Sequence, residues 1–135
     1  MNAVDGLITL PSNFGARETM ERLAAGIASL NLQVFARIDH AAGAAEVALT
    51  LRPTTLIIFG NARGGTPLME ARQTAGIDLP LKALVWEDEG GKTWLSYNEP
   101  AWMEQRHGLA NATVVVNKLS AMLTMLGRKA TTAAE

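Results

Sequence analysis

Two β-prone runs, Lys82 to Glu87 and Lys92 to Asn98, are rich in Val, Trp, Thr and Tyr and are separated only by Asp88, Glu89, Gly90 and Gly91. A connection that short joins antiparallel neighbours, so this stretch must form a hairpin, and any fold built wholly from parallel strands and long crossovers is disfavoured. The hairpin sits inside a longer alternation. Gly6 to Leu10 and Leu32 to Ile38 read as strands, the second with Leu32, Val34, Ala36 and Ile38 on one face and Phe35 breaking the alternation. Thr54 to Gly60 is a mostly apolar central strand.

Helices fill the intervals. Met20, Leu23, Ala24 and Ile27 recur at helical spacing after the Pro11, Ser12 and Asn13 break. Ala41 to Leu51 is a short helical segment closed by Pro53, and Pro67 to Ala75 is expected to be a helix with Thr66 as its cap and Pro67 in its first turn. Pro100 opens a helix to about His107, and Asn98 or Glu99 is placed to cap it. Ala112, Val115, Val116, Leu119, Met122, Leu123 and Leu126 form a last apolar stripe ending at Gly127. The order β-α-β-(α)-β-(α)-β-β-α indicates an α+β domain, one sheet covered on one face by helices with short helices in the connections. An open flavodoxin-like sheet is the alternative that the tight hairpin disfavours. Residues 1–127 are expected to form one domain and 128–135 a flexible tail.

The 135 residues carry 12 Lys+Arg against 13 Asp+Glu and no cysteine. One domain of this size buries enough surface to fold without disulfides. Near-zero charge disfavours broad attraction to nucleic acid or an anionic membrane, and the missing thiols exclude cysteine catalysis and cysteine-ligated metals. The N-terminus lacks the features of a signal peptide, and no apolar run approaches a bilayer span, so the expected location is cytoplasmic. With two unpaired histidines and no HExxH, no metal and no cofactor are expected.

The segment Gly60-Asn-Ala-Arg-Gly-Gly65-Thr66 has P-loop spacing but lacks the lysine and the following hydroxyl that phosphate and magnesium require. It remains a helix start at which backbone N–H groups, Arg63 and Thr66 could receive a carboxylate or phosphate, or else a plain glycine turn. Asp39 and His40 stand at a strand-to-helix corner, where an imidazole could move protons or simply cap the helix. Lys82 and Glu87 bracket one strand on opposite faces. Glu87, Asp88 and Glu89 read as a solvated hairpin tip, His107 as a favourable charge at a helix C-terminus, and Trp86 with Trp94 as a cross-strand pair.

Taken together, ARIDHAAGA (36–44), LRPTTLIIFGNARGGTPLM (51–69), IDLPLKALVWEDEGGKTWLSYNEP (77–100) and EQRHGL (104–109) resemble the domain-of-unknown-function family 302. Ala62 departs from it, because the family's usual turn looks like Asn followed by Pro, and the loop after Asn61 should loosen in consequence. The resemblance implies a TATA-binding-protein-like β-α-β(4)-α arrangement, a curved antiparallel sheet with helices packed on one face, commonly assembled as a dimer. Asp39, His40, Asn61, Gly65, Thr66, Lys82, Glu87, Tyr97, Asn98, Arg106 and His107 match its polar signature, and no catalytic assignment comes with them.

The leading expectation is a small homodimeric domain that binds an anionic or polar ligand through Asp39, His40, Asn61, Arg63, Gly65, Thr66, Lys82, Glu87 and Asn98. The polar cleft is expected near His40, Asn61, Thr66 and Lys82. An enzyme using His40 as acid or base, with Lys82 or Arg63 holding an anion, is one alternative, and a structural dimerisation module is the other.

Overall fold

The computed structural model describes residues 3–133. Five strands form a single sheet: β1 (Leu7–Pro11), β2 (Gln33–Asp39), β3 (Thr54–Gly60), β4 (Leu81–Glu87) and β5 (Thr93–Asn98). Their spatial order is β1-β5-β4-β3-β2, and every neighbouring pair is antiparallel. The helices are α1 (Ala16–Ser29), α2 (His40–Glu46), α3 (Ala62–Ala71), α4 (Pro100–His107) and α5 (Thr113–Thr131), with a 3-10 turn at Gln73–Asp78. The expected α+β arrangement, a curved antiparallel sheet with helices, is thus the observed one.

Strand alternation divides the sheet into two faces. Leu81, Ala83 and Val85 of β4 are buried beneath the helices with Ile57, Phe59, Leu95 and Tyr97. Against them α1 lays Met20, Leu23 and Ile27, and α5 lays Leu123, Leu126 and Ala130, completing the main core. A second, smaller core joins α3, α4 and α5 through Leu68, Ala75, Met103, Leu109, Ala112 and Val116. The β4 residues Lys82, Leu84 and Trp86 point to the opposite face and are only half-buried.

The hairpin is as the sequence dictates. Trp86 pairs with Trp94 across it, with ring centroids 6.0 Å apart. Each indole N–H is satisfied, that of Trp86 by Ser96 Oγ and that of Trp94 by Asp88 Oδ2, both at 2.9 Å. The acidic tip is solvent-facing, as expected, and also ordered, since Asp88 Oδ1 accepts the backbone N–H of Gly90 and of Lys92. The Trp94 indole, followed by the Lys92 N–H, holds the Asp88 carboxyl below its ordinary value. A depressed carboxylate contributes stability above its unfolded pKa and loses it as pH falls through the folded one. Acid titration followed by NMR should therefore find Asp88 protonating below the usual aspartate range, and Asp88→Asn should remove that acid-sensitive step at the hairpin. A normal Asp88 titration would contradict the geometry.

Several expectations need correction. The helix after Gly60 begins at Ala62, not Pro67, because Asn61 Oδ1 accepts the Gly64 N–H at 2.7 Å and serves as its cap. Pro67 then lies inside the helix, which forgoes one backbone bond. The same cap closes the segment that the missing proline was expected to loosen. In β2, Val34 pairs with Phe59 and Ala36 with Ile58, so a bulge at Phe35 puts Val34 and Ala36 on opposite faces. Finally, α5 runs through Thr131, with Ala130 and Thr131 buried, so residues 128–131 belong to the domain rather than to a tail. Residues 134–135 of that expected tail lie outside the described ones. Gly127, read as a helix stop, is inside α5, where Leu10 and Tyr97 pack against the place a Cβ would occupy.

Candidate functional site

The expected ligand residues fall into three places. Antiparallel pairing sets Asp39 opposite Thr55 and Gln33 opposite Gly60. His40 and Asn61 therefore stand at opposite ends of the sheet, on the order of 20 Å apart at about 3.3 Å per residue. Asp39 spends its side chain capping α2 by accepting the Ala42 N–H, and His40 is an exposed first residue of that helix. Glu87 is at this same end, paired with Thr93. The cleft expected near His40, Asn61, Thr66 and Lys82 is therefore divided.

Lys82 and Asn98 meet on the sheet face turned away from α1 and α5. They line a shallow cleft of about 300 Å³ with Leu7, Leu56, Leu84 and Trp86. The Lys82 ammonium donates to Pro80 O at 2.9 Å and Asp78 O at 3.4 Å. Burial pushes its pKa down, and the Asp78 carboxylate partly opposes that shift. The amine is thus held by backbone oxygens at the sheet end nearest Asn61, but its strand position turns it from the helix layer.

Asn61, Arg63, Gly65 and Thr66 do come together, in the larger cleft of about 590 Å³. One wall is the start of α3, the other is the Val115–Met122 stretch of α5, and Leu79, Pro80 and Leu81 supply the floor. Leu32 and the bulged Phe35 close the side next to β2. This is within the volume range of small-molecule sites, which are mostly apolar with a few placed polar groups. Gly65 suits a wall, since a Cβ there would touch Leu79 and Met69 at 3.6 and 3.8 Å and occupy the space.

The electrostatics of this cleft come from Arg63 and Lys118. Both are exposed, and among the described residues neither makes an ion pair, whereas Arg22, Arg37 and Arg106 each hold a carboxylate. The glycine segment offers fewer free N–H groups than its sequence suggests, because Asn61 takes those of Gly64 and Gly65 through its side chain and carbonyl. Sequence reasoning missed Lys118, Met69, Met122 and Phe35. Met122 belongs to the α5 stripe and Lys118 is a polar residue beside it, and neither reveals its target without the packing, but the broken alternation at Phe35 was a signal of the bulge.

A second polar cluster lies behind the floor. Asp78 accepts from Arg106 Nη1 at 3.0 Å through both oxygens and pairs with His107 Nε2 at 2.6 Å, while His107 Nδ1 stands 3.0 Å from Thr74 Oγ1. His107 and Asp78 side chains are only 7% and 13% exposed. This cluster clasps the 3-10 turn to α4. Among the described residues no group of acidic and histidine side chains has metal-binding geometry.

A one-layer antiparallel sheet with helices over it and an apolar, cation-rimmed cleft at one corner defines a small α+β domain of the kind first inferred from the hairpin. The chain belongs to the family described as "Domain of unknown function DUF302", whose profile matches residues 8–126. A crystal structure of an uncharacterized conserved DUF302 protein from Bacillus stearothermophilus superposes with a TM-score of 0.83 at 16% identity, covering 94% of this chain and 99% of that one. At that identity the likeness concerns the fold. In sequence, the chain is 51% identical over 122 residues to proteins named fluoride-specific ion channel FluC 1 from Brucella suis biovar 1 (strain 1330) and Brucella abortus biovar 1 (strain 9-941). The match covers 90% of this chain but 47% and 44% of those proteins, so the chain spans less than half the length of the curated relatives it matches. No described helix here is long and apolar enough to cross a membrane.

Proposed function

We propose that this chain is a regulatory binding domain that takes a small anionic ligand in the cleft between α3 and α5 and works as a homodimer. The observation that carries the reading is the pair of cations, Arg63 and Lys118, standing without carboxylate partners at a cleft of about 590 Å³ that also presents Asn61 and Thr66. Two positive side chains lining one concavity favour negative charge there, more strongly as bound ligand excludes water. His40 is exposed and at the opposite end of the sheet from Asn61 and Arg63, so the acid–base alternative cannot draw on the cleft.

The dimer reading draws on the β2 edge. Val34 and Ile38 on that strand and Val47, Leu49 and Leu51 in the connection from α2 to β3 are all large and exposed, an excess of apolar surface beside unpaired strand backbone. In proteins arranged like the Brucella relatives, the domain would accompany the channel that their name states. Ligand binding here would then report a metabolic state to that partner.

Titration calorimetry with acetate, benzoate, inorganic phosphate and fluoride tests the reading, alongside sedimentation equilibrium for the dimer. At least one oxyanion should bind, and the Arg63→Ala/Lys118→Ala double variant should weaken it about tenfold or more while its thermal midpoint stays within a few degrees. Binding unaffected by loss of both cations would remove the cleft from consideration.

A further inference from the structure

The cleft is chemically lopsided. Its two cations, Arg63 and Lys118, are solvent-exposed, whereas Leu32, Phe35, Met69, Leu79, Leu119 and Met122 make up most of the remaining lining. A small hydrated anion would use the first group and leave the second facing water, where apolar surface is costly. The bulge adds an independent indication. It interrupts the β2 ladder to turn Phe35 into the lining, yet that ring is 48% exposed, so a strand irregularity is spent on an aromatic group that the fold itself leaves half uncovered. Methionine on both long walls, Met69 from α3 and Met122 from α5, supplies flexible apolar surface that adjusts to the shape of a guest.

We infer that the cleft takes an amphipathic organic acid, a carboxylate-headed apolar chain whose head meets Arg63 and Lys118 and whose body lies along Phe35, Met69, Leu119 and Met122. The inference rests on the anion-binding reading above and gives that ligand its class. Length then matters more than charge. Each buried methylene should add about two- to fourfold to affinity, until the chain outgrows the cleft.

The experiment is calorimetry with hexanoate, octanoate and decanoate below their micelle concentrations, with acetate, inorganic phosphate and decanol as controls. Decanoate should bind at least tenfold tighter than hexanoate, and hexanoate tighter than acetate. The Arg63→Ala/Lys118→Ala variant should lose about fivefold or more for decanoate and under twofold for decanol. Met122→Trp should flatten the chain-length series by filling the cleft. Should that variant unfold, Gly65→Leu, which projects into the same space from the α3 wall, serves in its place. A flat series in the unmodified protein, with phosphate bound as tightly as decanoate, overturns the organic-acid class and leaves an anion site. Failure of every anion to bind, or binding indifferent to both cations, overturns the parent reading as well.

Discussion

Phe59→Ala is expected to destabilise the domain by about 3–5 kcal/mol, the range for truncating a fully buried phenylalanine. Phe59 has no exposed surface and belongs to the main core, where the helices α1 and α5 meet strands β3 and β4. It pairs with Val34 on one side and Leu81 on the other, immediately before Gly60 and the start of α3. Its neighbours are held by strand pairing on both sides and cannot collapse into the vacancy, which places the loss toward the upper end. Because Leu81 is also part of the cleft floor, ligand affinity should fall with stability, unlike the effect of Arg63→Ala/Lys118→Ala. Urea unfolding with an unchanged m-value would measure it. A loss under about 1.5 kcal/mol would mean that Phe59 is not the packed centre described.

The contrast between Phe59 and Phe35 also explains what could be read without coordinates. A continuous apolar run located Thr54 to Gly60, and the short acidic turn fixed the β4–β5 hairpin, because both signals are local and contiguous in the chain. Family resemblance supplied the sheet-and-helix architecture that local patterns only narrowed. Helix starts were harder: Thr66-Pro67 is a strong start signal, and it lost to Asn61 because one side-chain oxygen was already bonded to the Gly64 N–H.

The candidate site was legible only where the chain is contiguous. Asn61, Arg63, Gly65 and Thr66 are within one turn and a half of helix, so they had to be near each other. His40 and Lys82 were grouped with them on the idea that strand ends converge, but antiparallel strands end at both rims alternately, and the register sends Asp39–His40 to the far one. Lys82 misses by a single residue of phase, since alternation turns Leu81 into the helix layer and Lys82 out of it. Lys118 enters the cleft only through packing that no spacing encodes, whereas Phe35 left a trace in its broken alternation, which marked the bulge but not the cleft it faces.

Asp78→Ala is expected to cost about 2–4 kcal/mol, because it leaves a buried imidazole without its partner. The two side chains on Asp78 should not contribute equally. Arg106 is 49% exposed and can turn to water or remain over the Trp102 ring, so its pairing is a surface one worth at most about 1 kcal/mol. The His107 side chain is 7% exposed, so its pairing is the more buried of the two. Double-mutant cycles should therefore give a larger coupling for Asp78 with His107 than with Arg106. Asp78→Asn, which keeps an acceptor of the same shape, should recover part of the loss. The clasp is contiguous with Leu79, Pro80 and Leu81, so releasing it should also spread the cleft floor and weaken decanoate binding beyond the effect on stability. Equal couplings, or a loss under about 1 kcal/mol, would reduce the cluster to surface pairing, and the cleft floor would have to be held by the α3 and α5 contacts alone.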